Sequence, residues 1–130
     1  MYRHPAVFLV ASLLLAGTLV AAVTQQPGAG THAVRVTAER FAFTPSEVTV
    51  PQGTTIEFHL KSEDTAHGFR IVGQAVDVTI PKRGRGAATV TFTPPAPGSY
   101  VFECSRMCGA GHGFMRGVLR VTAPPAKAGK

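Results

Sequence analysis

Two thiols, an imidazole and a thioether fall within one short segment, Cys104-Ser105-Arg106-Met107-Cys108-Gly109-Ala110-Gly111-His112-Gly113-Phe114-Met115. Both cysteines of the chain are here. Thiolate, thioether and imidazole together form a soft donor set that selects copper over calcium, magnesium or manganese. Zinc accepts Cys and His but seldom Met. A further ligand is needed from elsewhere in the chain. His67, in Asp64-Thr65-Ala66-His67-Gly68-Phe69, follows a strand-like run and is bounded by a glycine, so it suits a site at the end of a barrel. Each residue also has a plainer reading. Cys104 and Cys108 can form an extracytoplasmic disulfide, His112 can be a surface histidine, and Met115 can fill a core gap. The joint spacing Cys-x3-Cys-x3-His-x2-Met favours metal over four separate coincidences. His4, His32 and His59 lack such company, and His59 lies on the polar face of a predicted strand.

The elements that must position these residues read as strands. After residue 33 no segment holds a helical period, whereas two-residue alternation recurs. Val34 and Val36 alternate with Arg35 and Thr37. Ile56, Phe58 and Leu60 share one face, and Thr55, Glu57 and His59 the other. Val76, Val78 and Ile80 form a further set, as do Val90 with Phe92, Tyr100 with Phe102 and Cys104, and Leu119 with Val121. Turn signals separate them at Thr44-Pro45-Ser46, Pro51-Gln52-Gly53, Gly84-Arg85-Gly86 and Pro97-Gly98. The spacing predicts an antiparallel sandwich or small barrel. So small a domain gains from a further tie such as a disulfide or a metal.

The chain has 130 residues, one domain's worth, which excludes a Rossmann dehydrogenase, a TIM barrel or a multi-spanning transporter. No Asp, Glu, Lys or Arg lies between Arg3 and Arg35, and residues 6–23 carry no charge. That stretch, uncharged and largely apolar despite Ser12 and Thr18, is long enough to reach across a bilayer as a helix. It reads either as a membrane anchor, with the rest of the chain on the extracytoplasmic face, or as a signal peptide cleaved after Val20-Ala21-Ala22. Residues 24–32 form a linker, 33–122 the folded domain and 123–130 a frayed tail. The formal charge is +6. No recognition motif or groove-reading helix accompanies it, so nucleic acid is not an expected partner.

From Phe41 to Val121 the chain resembles the copper-A domain of cytochrome c oxidase subunit II. The resemblance rests on Phe41-Ala42-Phe43-Thr44-Pro45, Val50-Pro51-Gln52-Gly53, His67-Gly68-Phe69, Pro97-Gly98-Ser99-Tyr100 and the Cys104–Met115 loop. The HGF form and the single apolar segment look most like the short subunit II of B-type (ba-type) haem–copper oxidases. The resemblance implies an all-β, cupredoxin-like Greek-key barrel or sandwich with one N-terminal apolar helix. It implies a dinuclear copper centre bridged by Cys104 and Cys108. His67 and His112 would each bind one copper, with Met115 and the backbone carbonyl of Arg106 as axial ligands. It further implies an electron donor, cytochrome c or a cupredoxin, and oxidase subunit I as the acceptor's home.

Two departures stand out. Many members carry Glu where this chain has Arg106. A carbonyl ligand tolerates any side chain, but a cation cannot ligate the magnesium that the Glu approaches. The chain also lacks Trp, so Phe69, Phe114 or Tyr100 would serve as the aromatic electron entry. A pair of bridging thiolates with every position filled by protein atoms suits an electron relay and leaves no opening for substrate. Other functions stay open at this stage. One is a mononuclear blue-copper carrier, since Cys108, His112, Met115 and His67 alone suffice for one copper. The others are a copper-binding chaperone and a disulfide-stapled β-domain. With few carboxylates to offer, the domain should meet an acidic donor, or dock mainly by apolar contact.

Overall fold

A computed structural model of the chain describes residues 30–126. The apolar segment 6–23 lies outside them. Among the described residues no helix is long and apolar enough to cross a membrane. Nine strands follow in order: β1 (Thr31–Glu39), β2 (Ala42–Thr44), β3 (Glu47–Pro51), β4 (Thr55–Ser62), β5 (His67–Ile71), β6 (Val76–Ile80), β7 (Ala88–Phe92), β8 (Gly98–Glu103) and β9 (Arg116–Thr122). A single 3-10 turn, His112–Phe114, lies between β8 and β9.

The alternation read from the sequence becomes two facing sheets. One has the order β2-β1-β4-β7 and the other β3-β9-β8-β5-β6. Val34, Val36, Ile56, Phe58, Leu60, Phe92, Leu119 and Val121 all point into the space between the sheets and are buried. The architecture is an all-β, cupredoxin-like sandwich. It is not wholly antiparallel, however. β1 pairs with β4 in parallel, Val34 opposite Phe58, and β3 pairs with β9 in parallel, Val48 opposite Leu119. The chain changes sheet between β2 and β3, again between β3 and β4, and again between β4 and β5. Consecutive strands therefore often lie in different sheets, and the neighbours within a sheet come from distant sequence. β1 begins at Thr31, because that residue pairs with Thr55 at the start of β4.

Four phenylalanines form the middle of the core. Phe43, Phe58, Phe69 and Phe102 are all within 1% of full burial. Phe69 stacks on Phe102 at 5.2 Å between ring centres, and Phe43 meets Phe102 edge-on at 5.5 Å. Burying each such ring contributes roughly 1.5–3 kcal/mol, and offset or edge contacts add to that. Two of these rings matter for the site. Phe69 is two residues after His67, and Phe102 is two residues before Cys104. With a two-residue period, an inward Phe on each strand fixes an inward His67 and an inward Cys104 at the same end of the sandwich.

Candidate metal centre

Three connections meet at that end: the β4–β5 loop, the β8–β9 loop and the β1–β2 turn. The β4–β5 loop is shaped by its own polar residues. Ser62 Oγ–H donates to the Thr65 carbonyl at 2.5 Å, and the Asp64 N–H donates back to Ser62 Oγ at 3.1 Å. This turn delivers His67, fully buried, as the first residue of β5. The twelve-residue β8–β9 loop is closed at its base by Cys104 N–H donating to the Met115 carbonyl at 3.0 Å. The 3-10 turn within it folds His112 back over the loop.

The result brings together every ligand candidate named from the sequence. The sulphurs of Cys104 and Cys108 are 3.7 Å apart. Cys104 Sγ is 3.9 Å from His67 Nδ1 and 3.0 Å from the Arg106 carbonyl oxygen. Cys108 Sγ is 3.7 Å from His112 Nδ1 and 3.8 Å from Met115 Sδ. Ligand atoms of His67, Cys104 and Cys108 lie within 4.8 Å of one another, and all three residues are buried. At 3.7 Å the two cysteines are separate thiols, since a disulfide bond is about 2.05 Å long. The disulfide reading therefore does not describe this arrangement.

The donor set fits copper. Two thiols, two imidazole nitrogens, a thioether and a carbonyl oxygen converge on one small volume, and both thiols and the thioether are buried. Burial, and then the hydrogen bond and charge of Cys104, push the Cys108 thiol up to about 11. A buried thiol that resists ionisation, as that of Cys108 does, would be stabilised by a cation that replaces its proton.

Asp64 orients His67, which the sequence alone did not disclose. His67 Nε2 lies 2.6 Å from Asp64 Oδ1. A proton on Nε2 donated to this carboxylate leaves Nδ1, the nitrogen facing Cys104, free to ligate. Burial raises the Asp64 pKa, but hydrogen bonds from His67 and from the backbone amides of Arg40 and Thr65 outweigh it and hold the carboxyl below its ordinary value. The available signal was an Asp three residues before the His, too common a pattern to single out.

Gly68 explains the residue after the ligand. Its N–H points at Cys104 Sγ at 3.4 Å. A Cβ on Gly68 would stand 2.0 Å from Ser105 Oγ, 2.7 Å from Ser105 N and 2.8 Å from Arg106 N. Only a residue without a side chain lets β5 approach the cysteine loop this closely.

The two imidazoles differ in access. His67 is sealed, whereas half-buried His112 lines a cleft of about 220 Å³ with Arg70, Glu103, Cys104, Met115 and Arg116. Beside it Phe114 is 84% exposed and Met107 is 79% exposed, both unusual for large apolar side chains. Phe69 is fully buried in the core and Tyr100 is half-buried, its hydroxyl donating to the Ala96 carbonyl at 2.7 Å. Of the three aromatic candidates, Phe114 is the one presented to solvent at the metal end. His59 is half-exposed and sits 2.6 Å from Glu57, away from the cluster.

Comparison with known proteins agrees with this fold. The cupredoxin-like domain profile matches residues 8–121. Two cytochrome c oxidase subunit 2 sequences of Thermus thermophilus are each 35% identical over 96 residues, or 74% of this chain. The chain spans 70% of one and 56% of the other. A structure of a heme-copper terminal oxidase dimer superimposes with a TM-score of 0.62 at 26% identity, covering 73% of this chain and 66% of the matched one. The periplasmic domain of subunit II of cytochrome oxidase from Bradyrhizobium japonicum superimposes with a TM-score of 0.61 at 21% identity, covering 70% of this chain and 83% of that domain. This last likeness concerns the fold.

Proposed function

This chain belongs to the cupredoxin-like family, as a relative of cytochrome c oxidase subunit 2, and we propose that it is an electron-relay domain built around a dinuclear copper-A centre. The observation that carries the reading is the pair of cysteine sulphurs 3.7 Å apart, each with its own imidazole Nδ1 and its own axial donor within 3.9 Å. A mononuclear site needs only one thiolate. Here Cys104 is as buried and as well surrounded as Cys108, so it is not a bystander.

His67, Cys104, Cys108 and His112 would hold the metals, with Met115 Sδ and the Arg106 carbonyl oxygen as the weak axial donors. When bound there, copper would supply a one-electron couple. The chain's own residues do the rest. Asp64 fixes the ring and tautomer of His67. The Gly68 amide is positioned to stabilise negative charge on Cys104 Sγ. The core rings Phe69 and Phe102 hold β5 and β8 rigid beneath the ligands. With all six donors supplied by protein, no position is left for substrate, which favours relay over catalysis.

Partners follow from the same reading. The acceptor is haem in subunit I of a haem–copper oxidase, and the domain stands on the extracytoplasmic face. Residues 6–23 serve as the membrane anchor, with cleavage as a signal peptide the alternative. The donor is a cytochrome c or a cupredoxin. Phe114 and Met107 give it an apolar landing beside half-buried His112, and Arg40, Arg106 and Arg116 on the surrounding surface favour an acidic partner.

Electron paramagnetic resonance of the copper-loaded protein tests the centre. Two equivalent copper nuclei sharing one electron split the resonance into seven lines, and one nucleus gives four. A seven-line spectrum that Cys104→Ser abolishes is expected. A four-line spectrum from fully loaded wild type would refute the dinuclear centre in favour of a blue-copper carrier. Weak, exchangeable Cu(I) without colour would favour a chaperone.

A further inference from the structure

Arg40 and Phe41 form the turn between β1 and β2, in the sheet opposite the ligand-bearing strands. Neither offers a ligand. Both nonetheless touch the site, and they touch both of its halves. The Arg40 N–H donates to Asp64 Oδ2 at 2.9 Å, while the other oxygen of the same carboxylate holds His67. The Arg40 side chain turns the other way, and its Nε–H donates to the Cys108 carbonyl at 2.8 Å. The Phe41 ring lies against the glycines that follow. A Cβ on Gly109 would stand 2.8 Å from Phe41 Cε1, and one on Gly111 would stand 2.3 Å from Phe41 Cδ2. Gly109 also has a φ of 143°, a conformation other residues rarely adopt. The alternation Cys-Gly-Ala-Gly-His is thus shaped to receive this ring.

The tip of the β8–β9 loop has need of such a hold. Its internal hydrogen bonds run from His112 N–H to the Gly109 carbonyl, from Phe114 N–H to Gly111 and from Met115 N–H to His112. These give the loop a shape but do not fasten it to the opposite sheet. Among the described residues, the hydrogen bond that ties Cys108–Gly111 to the β1–β2 turn is the one from Arg40.

The geometry points to Arg40 and Phe41 as a clasp that holds the His67 segment and the Cys108–His112 segment in ligating register before any metal arrives. The backbone amide of residue 40 acts on the His67 side through Asp64. The guanidinium and the Phe41 ring act on the Cys108 side. Arg40 is a positioning residue. Its work is to lower the ordering that metal binding would otherwise have to impose. The clasp rests on the copper reading only for the identity of the metal, since its contacts are present without one.

The division of labour makes a test possible. In Arg40→Ala the backbone amide and its bond to Asp64 survive, and the Cys108 contact is lost. In Arg40→Lys a cation within reach of the Cys108 carbonyl is restored. The purified, reduced, metal-free full-length chain is pulse-labelled with iodoacetamide. Trypsin cleavage after Arg106 places Cys104 and Cys108 on different peptides, so mass spectrometry reports each thiol separately. In parallel, wild type and variants are loaded with copper, and release to a Cu(I) chelator is timed and the resonance spectrum recorded. Loss of a hydrogen bond from a charged donor should make opening about tenfold more frequent, or more. Labelling of Cys108 and copper release should therefore rise by roughly that factor in Arg40→Ala, with broadened hyperfine lines, and return most of the way to wild type in Arg40→Lys. Phe41→Ala should expose Cys108 likewise.

A change under about threefold in both measurements for Arg40→Ala overturns the clasp. So does a rise in labelling fully accounted for by the fall in global stability, measured from the melting of the same metal-free protein. If wild type takes up no copper but the labelling pattern holds, the copper reading fails and the clasp stands. If wild type gives the seven-line spectrum and Arg40→Ala is indistinguishable from it in every measurement, the clasp alone fails.

Discussion

Gly68→Ala adds a single methyl group at the tightest point of the site. The new Cβ would sit 2.0 Å from Ser105 Oγ. Rotating Ser105 away does not solve the problem. Its hydroxyl is held by Asp77 Oδ1 at 2.6 Å, and two backbone nitrogens, Ser105 N at 2.7 Å and Arg106 N at 2.8 Å, remain in place. Ordinary contacts at a Cβ begin at 3.4 Å. The Cys104–Arg106 backbone must therefore move by more than half an ångström, or β5 must. Overpacking of this kind costs about 1–3 kcal/mol. The displacement also lengthens the Gly68 N–H contact to Cys104 Sγ, a smaller loss. A central value of about 2 kcal/mol corresponds to a fall in Tm of roughly 8–16 °C for a domain of this size.

Thermal unfolding of the metal-free protein, followed by circular dichroism, reads this directly. Gly113→Ala is the control. It lies in the β8–β9 loop against which Gly68 packs, has an ordinary backbone conformation, and a Cβ there meets nothing within 4 Å. Its effect should stay within about 0.5 kcal/mol. The copper-loaded Gly68→Ala protein should also show an altered resonance spectrum, because Cys104 Sγ and the Arg106 carbonyl move together. If Gly68→Ala melts with Gly113→Ala and gives the wild-type spectrum, the close approach of β5 to the cysteine loop is not a constraint. The explanation of the His67-Gly68 pair then fails.

Three further outcomes follow from the site. Arg106→Ala should keep the seven-line spectrum, because the proposed donor is the backbone oxygen and the side chain reaches only Thr79 Oγ1 at 2.9 Å on the surface; loss of the spectrum would count against the carbonyl ligand. Copper loading at pH 7 should release protons, measurable with an indicator dye in weak buffer, since a thiol at about 11 holds its proton until metal displaces it. Apparent affinity should accordingly rise with pH, and proton-neutral loading would show that Cys108 enters as a thiolate. Electron transfer from an acidic donor should slow steeply as salt is raised, whereas near-independence of salt would assign docking to the apolar surface of Phe114 and Met107.

Much of this molecule could be read from residue types. Alternation identified the buried faces of β1, β4, β6, β8 and β9, because a side chain's direction has a fixed period along a strand. It could not identify partners. Val34 and Phe58 each announce an inward face, but nothing in either run says that β1 and β4 lie side by side and parallel, so the expected antiparallel arrangement was only partly right. The short strands β2 and β3 hid behind their flanking prolines. The proposed ligands stood out for a different reason. Softness is a property of the side chain itself, and five of the six proposed donors belong to one twelve-residue loop.

Orientation was not legible, and the cause is physical. Asp64 fixes His67 from three residues away, but Arg40 reaches Asp64 across 24 residues and Cys108 across 68. Such contacts leave no period and require no unusual residue. In sequence, Arg40 is one of 13 basic residues and reads as a solvated surface charge. In the fold it is exposed as well, yet its Nε–H is committed to the neutral Cys108 carbonyl. Charge alone therefore described the surface of this domain poorly. The carboxylates of Glu47, Glu63 and Glu103 are occupied by Arg120, Lys61 and Arg70, while Arg40 and Arg106 at the metal loop meet oxygens that carry no charge. Burial and Cys104, rather than these two cations, govern the Cys108 thiol, which is pushed up to about 11. The net charge thus bears on what the surface can meet, and burial on the state of the thiol beneath it.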